Sequence, residues 1–448
     1  MIRLLALCAV VTSLGAADFR AGVARRKITP EVPIWMSGFA ARKVPADGVL
    51  HDLWAKALAL EDSKGGRAVI VTTDLIGLPR SISDEAAARL QKDFGLERSR
   101  MVFNSSHTHS GPVLRANLNL MYDLKPDQWQ RIADYSRRLT DDLVSVAAAA
   151  LGKLEPARMS FGQGAAGFAV NRRQMFENGY RIGVNPNGPT DHSVPVVRVA
   201  FPDGRLMAVL FGYACHNTTL TAEFTKINGD YAGFAQIEVE RSNPGATAMF
   251  LMLCGADQNT NPRSKVELAE AHGRALAAEV NRVLAGKLQP VHSPIRSAYQ
   301  TVEPSFKVHT RETFERELSD SNPFVVRRAK LMLQTYDDRH PIRSLSYPVQ
   351  ALRFGKDLTL VALGGEVVVD YALRIKRQYP KESTIVAGYS NEVMCYIPSQ
   401  RVLTEGGYEA ADSMIYYGQP GPFNEDVEQT VFSGVQSVLA RVGRSAGR

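Results

Sequence analysis

Five short apolar segments that stop at polar clusters constrain the fold of this chain more than any other sequence feature. They cover residues 101–103, 206–215, 248–253, 358–365 and 384–389. Segments of this kind, with helical patterns between them, are typical of buried strands in α/β proteins. Ligands of such sheets collect outside the carboxyl ends of the strands. The sequence therefore predicts an α/β fold, a mixed β-sheet covered by helices, with one site at the strand ends.

Histidines and a carboxylate occupy three of these strand ends. His107 and His109 follow the first segment, His216 the second and Glu366 the fourth. In an extended chain, residues two apart point the same way, so the first two histidines can face one site. A carboxylate is rarely buried unless it is paired or metal-bound. Two histidines and a carboxylate form a known catalytic zinc arrangement, although a structural histidine pair fits the first motif as well.

Further predicted elements come from periodicity and turn residues. Alternating apolar runs around Gly-containing turns predict hairpins, and apolar residues at helical spacing predict helices. The predicted hairpins cover 53–75, 194–215 and 349–366, and the predicted helices cover 83–96, 126–151, 264–284 and 424–442. The charged segment 302–345 predicts a helical excursion, either a lid or insertion or simply a solvated surface helix.

The N-terminus has the composition of a secretory signal peptide. Arg3 precedes an apolar stretch, 4–14, that is too short to span a bilayer, and small residues follow at 15–17. We therefore expect a signal peptide over 1–17, a catalytic domain over 18–448, and export to the periplasm or the exterior. An uncleaved anchor is the alternative.

Charge and cysteine content narrow the function classes. The formal net charge is +7 but the charges are interspersed, which gives little support for nucleic-acid binding. Three cysteines follow the predicted cleavage point, too few for a disulfide framework, and without the Cys-x-x-Cys spacing that favours thiolate ligation of a metal.

A resemblance to one family emerges from the order of the motifs. "SSHTHSGP", "VNRRQM", "HNTTL", "INGDYAGFA", "GGEVVVDYALRIKR" and "CYIPSQRVLTEGGYEA" occur in the same order in the N-terminal catalytic domain of the neutral/alkaline ceramidases. Tyr396 and Tyr408 are twelve residues apart, as are two functional tyrosines of that family. We expect no counterpart of the family's C-terminal immunoglobulin-like domain.

The resemblance implies a role for each matched residue. His107, His216, Glu366 and Tyr396 correspond to the zinc ligands. The groups expected to bind the substrate carbonyl and the charge developing on it are His109, Arg172 and Tyr408. Asn259 stands where the family has an active-site serine, and asparagine can donate or accept a hydrogen bond but cannot act as a nucleophile.

The implied function is hydrolysis of a linear N-acyl amide by zinc-activated water. The substrate need not be ceramide, because the 302–345 segment does not resemble its family counterpart. Two other functions stay open: a zinc-dependent esterase or other acyl hydrolase on the same fold, or a non-catalytic zinc- or lipid-binding relative. We expect a small or lipid-like amide substrate, possible peripheral membrane contact, no nucleic acid and no stable protein partner.

Overall fold

The computed structural model describes residues 17–447. The strands are β1 Phe19–Lys27, β2 Gly48–Val49, β3 Trp54–Asp62, β4 Arg67–Thr73, β5 Met101–Ser105, β6 Glu155–Ala165, β7 Ala169–Phe176, β8 Gly179–Asn185, β9 Ser193–Ala200, β10 Leu206–Tyr213, β11 Lys226–Ile227, β12 Thr247–Met252, β13 Gln258–Thr260, β14 Gln289–Val291, β15 Ile295–Val302, β16 Tyr347–Phe354, β17 Leu358–Leu363, β18 Glu366–Val367, β19 Ser383–Ala387 and β20 Tyr396–Ile397. The helices are α1 Arg80–Phe94, α2 Pro126–Leu151, α3 Asp230–Ser242, α4 Val266–Ala285, α5 Arg311–Glu317, α6 Pro323–Asp337, α7 Val369–Gln378, α8 Gln400–Glu405, α9 Met414–Tyr417 and α10 Val427–Arg441. Short 3₁₀ turns cover Arg98–Arg100 and Asn119–Met121, and a π-helical turn covers Tyr408–Asp412.

Two mixed sheets form the centre of the molecule. The larger has the order β12-β10-β9-β6-β1-β3-β4-β5, with β14 beside β6, and the smaller has the order β15-β16-β17-β19. One apolar cluster contains residues from both sheets, Leu60 and Leu210 from the larger and Leu352 and Leu360 from the smaller. The two sheets therefore pack face to face.

Helices cover the outer faces of both sheets. Alternate residues of β3 point in opposite directions: Leu58 and Leu60 face the smaller sheet, whereas Ala57 and Ala59 pack with α1 and α2. Helices α3 and α4 cover the other end of the larger sheet, and α7 and α10 cover the smaller sheet. The predicted mixed α/β fold covered by helices is confirmed, with two stacked sheets at its centre.

The predicted elements mostly match the structure. Helix α2 occupies Pro126–Leu151 as the apolar spacing predicts, and α1 ends at Gly95 in the left-handed conformation. Helix α1 begins at Arg80, three residues before the predicted start at residue 83, and no side chain of the described residues caps its first turn. All three predicted hairpins are present as antiparallel pairs, β3 with β4, β9 with β10 and β16 with β17.

The 302–345 segment is helical as predicted. It contains α5 and α6, which enclose a small apolar cluster of their own around Phe314, Ala329 and Met332. Its role as a lid stays a prediction. The predicted signal peptide over 1–17 lies outside the described residues except for its last one. Within the described range, none of the helices combines the length and apolar composition needed to cross a bilayer.

Candidate metal centre and its cavity

The carboxyl ends of β5, β10 and β17 and the segment after β19 meet at one place, as the sequence predicts. Backbone hydrogen bonds join the segments that follow these strands: the Ser105 amide donates to the Tyr389 carbonyl, and the His109 amide to the Asn217 carbonyl. The Glu366 amide donates to the Cys395 carbonyl. These cross-links fix the polar residues after each strand against one another.

Three buried histidines form the centre of this region. Single ligand atoms of His107, His109 and His216 all lie within 4.8 Å of one another. The Glu366 carboxylate oxygen Oε2 lies 3.0 Å from Nε2 of His107 and 3.1 Å from Nε2 of His216. The Tyr396 hydroxyl lies 3.3 Å from Nε2 of His216. The four predicted metal ligands are thus brought together.

His107 and His109 come together because the backbone turns between them, and not because they lie on one face of an extended strand. Strand β5 ends at Ser105, and His107 has a φ of 64°, in the left-handed region that side chains rarely adopt. Its amide donates to the Leu75 carbonyl and its Nδ1 lies 2.6 Å from the Ile76 carbonyl oxygen. The assumption of an extended chain was therefore wrong, although the two imidazoles do converge.

The donor atoms of this cluster fit a metal ion. Nδ1 of His107 and Nδ1 of His216 each face a backbone carbonyl oxygen, so each carries the proton and leaves a lone pair on Nε2. Both lone pairs point at the Glu366 carboxylate, which offers only acceptors. Ligands of a tetrahedral Zn²⁺ ion at ~2.1 Å lie roughly 3.4 Å apart, a little more than the spacings found here. A bound cation would remove the repulsion between these two lone pairs and the negatively charged carboxylate.

Electrostatics are consistent with a neutral imidazole and a charged carboxylate. Burial and the nearby Arg172 guanidinium lower the pKa of His216 to about 3. The Glu366 carboxylate accepts hydrogen bonds from two tyrosine hydroxyls, which favour its charged form. Burial, with the two neighbouring histidines, also lowers the pKa of His109 well below its ordinary value.

Two tyrosines missed by the sequence analysis hold Glu366 in place. The Tyr389 hydroxyl donates to Oε2 at 3.3 Å, and the Tyr417 hydroxyl donates to Oε1. Hydrogen bonds of this kind orient a ligating carboxylate. Tyr389 could have been predicted from its place at the end of the fifth apolar segment. No sequence signal indicates Tyr417.

Arg172 lies beside the cluster on β7. Its Nη2 donates to the Tyr396 hydroxyl at 2.9 Å and its Nη1 to the Asn259 side-chain oxygen at 3.3 Å. Its Nε donates to the Glu409 carboxylate at 2.7 Å. Burial would lower the pKa of Arg172, but Tyr396 and Glu409 outweigh it and raise that pKa well above its ordinary value. Glu409 is a positioning residue to which the sequence analysis assigned no role.

A cavity of about 220 Å³ opens onto this cluster. Its polar wall includes every predicted substrate-binding residue, and its apolar wall comes from the 38–41 loop, β8 and the turn before α2. The polar lining residues are His109, Arg172, Thr218, Asn259, Arg263, Tyr396, Tyr408 and Tyr416. The apolar lining residues are Gly38, Phe39, Ala40, Ala41, Met121 and Ile182. A substrate in the cavity would therefore meet both the predicted metal centre and the predicted carbonyl-binding groups.

The three cysteines of the described chain take no part in this site. Cys215, Cys254 and Cys395 are all buried, and none of them forms a disulfide with another described residue. Burial raises the pKa of each thiol, and none of the three belongs to the group of side chains that could hold a metal.

Sequence comparison identifies the family. The neutral/alkaline non-lysosomal ceramidase N-terminal domain matches residues 19–278, more than half of the chain. The chain belongs to this family. Neutral ceramidase of Pseudomonas aeruginosa is 24% identical over 233 residues, 50% of this chain and 33% of that protein. Neutral ceramidase of Drosophila melanogaster is 25% identical over 254 residues, 53% of this chain and 34% of that protein. These alignments cover about a third of the length of the curated relatives.

Structural comparison extends the family fold to the rest of the chain. The crystal structure of neutral ceramidase from Pseudomonas aeruginosa superposes with a TM-score of 0.71 at 19% identity, over 95% of this chain and 75% of that one. A ceramidase complexed with C2 gives a TM-score of 0.74 at 18% identity, over 96% of this chain and 76% of that one. Segments beyond residue 278, including those that carry Glu366 and Tyr396, therefore belong to the same fold.

Proposed function

We propose that this chain is a zinc-dependent hydrolase that cleaves a linear N-acyl amide. The observation that carries the proposal is the convergence of two imidazole lone pairs on one buried carboxylate at the end of a cavity. Membership of the ceramidase family supports an amide as the bond that is broken. The products would be a carboxylic acid and an amine, formed with consumption of one water.

We assign the metal to His107, His216, Glu366 and Tyr396. Two imidazole nitrogens and a carboxylate are ligands that zinc takes in catalytic sites, and the Tyr396 hydroxyl lies beside them. When bound, zinc supplies Lewis acidity, which makes water a better nucleophile and polarises a carbonyl.

Other residues of the cavity would bind the reacting amide. Within residues 17–447, no group hydrogen-bonds the Tyr408 hydroxyl, which lines the cavity and is free to donate to a substrate oxygen. His109 is buried and neutral, so it can accept or donate a proton through the nitrogen that faces the cluster. Arg172 holds the Tyr396 hydroxyl and places a positive charge beside the carbonyl that becomes an oxyanion.

The experiment is a hydrolysis screen of N-acyl amides and matched esters with several acyl lengths. We expect free acid and free amine in equal amounts by mass spectrometry. His107→Ala should lose both metal and turnover, whereas His109→Ala should keep the metal and lose turnover. His292→Ala, an exposed histidine paired with Asp357, is the matched control. Cleavage of esters alone would favour the acyl-ester alternative. Export and peripheral membrane contact stay predictions from the sequence.

A further inference from the structure

Arg263 is a cation on the cavity wall without an acidic partner. It lies in the loop before α4 and lines the same cavity as Asn259 and Thr218. Among the described residues it makes no ion pair, and its Nε is buried without a hydrogen-bond partner. A partly buried guanidinium is normally paired, because desolvation of an isolated charge is costly. Arg263 thus has unused donors next to the reacting groups.

The loop that carries Arg263 is firmly held. The Asn261 amide donates to the Phe168 carbonyl at 2.9 Å, and the Ser264 amide donates to the Thr219 carbonyl at 2.6 Å. Nε2 of His272 donates to the Pro262 carbonyl at 2.7 Å. The backbone on both sides of Arg263 is therefore fixed before any ligand arrives, which lowers the entropic cost of binding to it.

Positive side chains line the cavity without negative ones among the described residues. No aspartate or glutamate is among its lining residues in the described chain, whereas two arginines are. The charge of Arg172 is compensated by Glu409, whereas no carboxylate within residues 17–447 pairs with Arg263. Burial and the nearby Arg172 lower the pKa of Arg263, as expected for a cation that lacks a counter-charge. Asp230, which attracts it from a distance, already accepts hydrogen bonds from the Leu220 and Tyr231 amides.

Asn259 adds a donor of fixed orientation. Its side-chain oxygen accepts from Nη1 of Arg172 and from the Thr218 hydroxyl, both at 3.3 Å. Because both of these groups donate, it is the oxygen of the Asn259 amide that faces them. The amide nitrogen Nδ2 therefore remains available to donate to a ligand. Within the described residues Nδ2 has no partner. Asn259, which stands where the family has a serine, thus provides an N–H donor four residues before Arg263.

We infer that the amide substrate carries an anionic group, a carboxylate or a phosphate, that Arg263 binds with help from Asn259 Nδ2. The inference rests on the proposed amide hydrolysis and names the substrate class. Guanidinium is suited to both anions because its N–H donors match their oxygen atoms. The anionic group takes no part in bond breaking: water adds to the carbonyl, the C–N bond breaks, and the anion leaves with the amine.

The test compares substrates that differ only in charge. N-lauroylglycine is set against N-lauroylglycinamide, and N-lauroyl-phosphoethanolamine against N-lauroylethanolamine, so that the two pairs separate carboxylate from phosphate. We expect kcat/KM for at least one anionic member to exceed that of its neutral partner by roughly ten- to a hundredfold, the effect of a charge-assisted hydrogen bond. Arg263→Gln should remove this preference while it leaves neutral-substrate turnover within about threefold, and Arg263→Lys should retain part of it.

Two controls make the outcome decisive. Arg274→Gln removes an exposed arginine of α4 paired with Glu270 and should leave the preference unchanged. Equal kcat/KM for charged and neutral members in both pairs, or an equal loss for both in Arg263→Gln, would overturn the inference. If none of the four is cleaved, the proposed function fails, and calorimetry of the same compounds on wild-type and Arg263→Gln protein decides the anion site. Binding of an anionic member that Arg263→Gln weakens at least tenfold supports it. Equal affinities, or no binding, overturn it.

Discussion

At the scale of single residues, the environments of the three histidines separate their roles. Nδ1 of His107 and Nδ1 of His216 face backbone carbonyl oxygens, the arrangement that orients a metal ligand. Nδ1 of His109 is buried and has no hydrogen-bond partner in the part of the chain that the structure describes, and Gly38 is closely packed against it. A side chain at Gly38 would collide with this ring. His109 therefore lacks the outer hydrogen bond of the other two, which supports a role toward substrate.

Substitution of Asn259 or Tyr408, the two residues expected to donate to the substrate, should lower the reaction rate moderately. We predict that Asn259→Ala and Tyr408→Phe each lower kcat/KM for an anionic N-acyl amide roughly ten- to a thousandfold, because each variant loses one preorganised donor to the substrate. His107→Ala should cost far more, because it disturbs the metal. Rates for all three variants are to be measured on one amide substrate, with metal content determined for each.

One pattern of results would show that these roles are misassigned. If Asn259→Ala abolishes activity with the metal still bound, and Tyr408→Phe has no effect, the reacting centre lies closer to the turn that follows β12. Thr404→Ala is a suitable control, since its hydroxyl is on the exposed side of α8 and donates to the Gln400 carbonyl.

The residues of the site differ in how far the sequence reveals them. His107, His216 and Glu366 follow apolar strands, so their convergence is predictable from topology. Arg172, on the separate sheet β13-β7-β8, could be placed only by the family resemblance. Arg263 lies in a loop, where no periodicity indicates which way a side chain points.

At the scale of secondary-structure elements, Glu409 ties β7 to the π-helical turn. Its carboxylate binds Arg172 through Oε1 and Arg173 through Oε2, and all three side chains are buried. We predict that Glu409→Gln lowers the free energy of unfolding by about 3 kcal/mol, because two buried guanidiniums lose their shared counter-charge. Chemical denaturation measures this, with Glu270→Gln on the surface of α4 as the control.

This stabilisation should depend on pH in one direction. Burial would raise the pKa of Glu409, but Arg172 and Arg173 outweigh it and hold that pKa below its ordinary value. A depressed carboxyl pKa contributes stability that is fully present above the unfolded pKa of ~4.3 and is lost as the pH falls through the folded value. The stability difference between wild type and Glu409→Gln should therefore be constant above about pH 5 and shrink below it. A difference that grows with acidity would refute this explanation.

Helix α6 supports one wall of the cavity. The Phe324 ring packs edge-on against Tyr416 at 5.1 Å between centroids, and Tyr416 lines the cavity. Arg327 of the same helix donates to the Leu120 carbonyl, next to the lining residue Met121. The helical excursion is therefore in contact with the substrate region, as a lid or insertion would be.

Loosening this contact should affect substrate binding more than chemistry. We predict that Phe324→Ala raises KM for a long-chain amide several-fold, with kcat and metal content little changed, because Tyr416 loses its packing partner. Leu318→Ala, a partly exposed residue of the same segment, should leave KM unchanged. A fall in kcat with constant KM would argue against a binding role for this wall.

At the scale of the whole molecule, local sequence patterns predict the elements but not their stacking. The hairpins and α2 follow from period-2 and period-3.6 patterns, which are properties of short windows. The division of the strands between two sheets depends on contacts between distant segments, such as the bridge between Leu253 and Ala387. That stacking brings Glu366, which follows β17 of the smaller sheet, to the histidines that follow strands of the larger sheet.

The central claim is that this convergence of two sheets is a catalytic zinc centre. The most direct measurement is amide hydrolysis by chelator-treated protein as zinc is added back in known equivalents, with His216→Ala in parallel. We predict negligible activity without metal, a rise that saturates at one equivalent of zinc, and no recovery in His216→Ala. Full activity of the metal-free protein, or equal recovery by His216→Ala, would contradict the account.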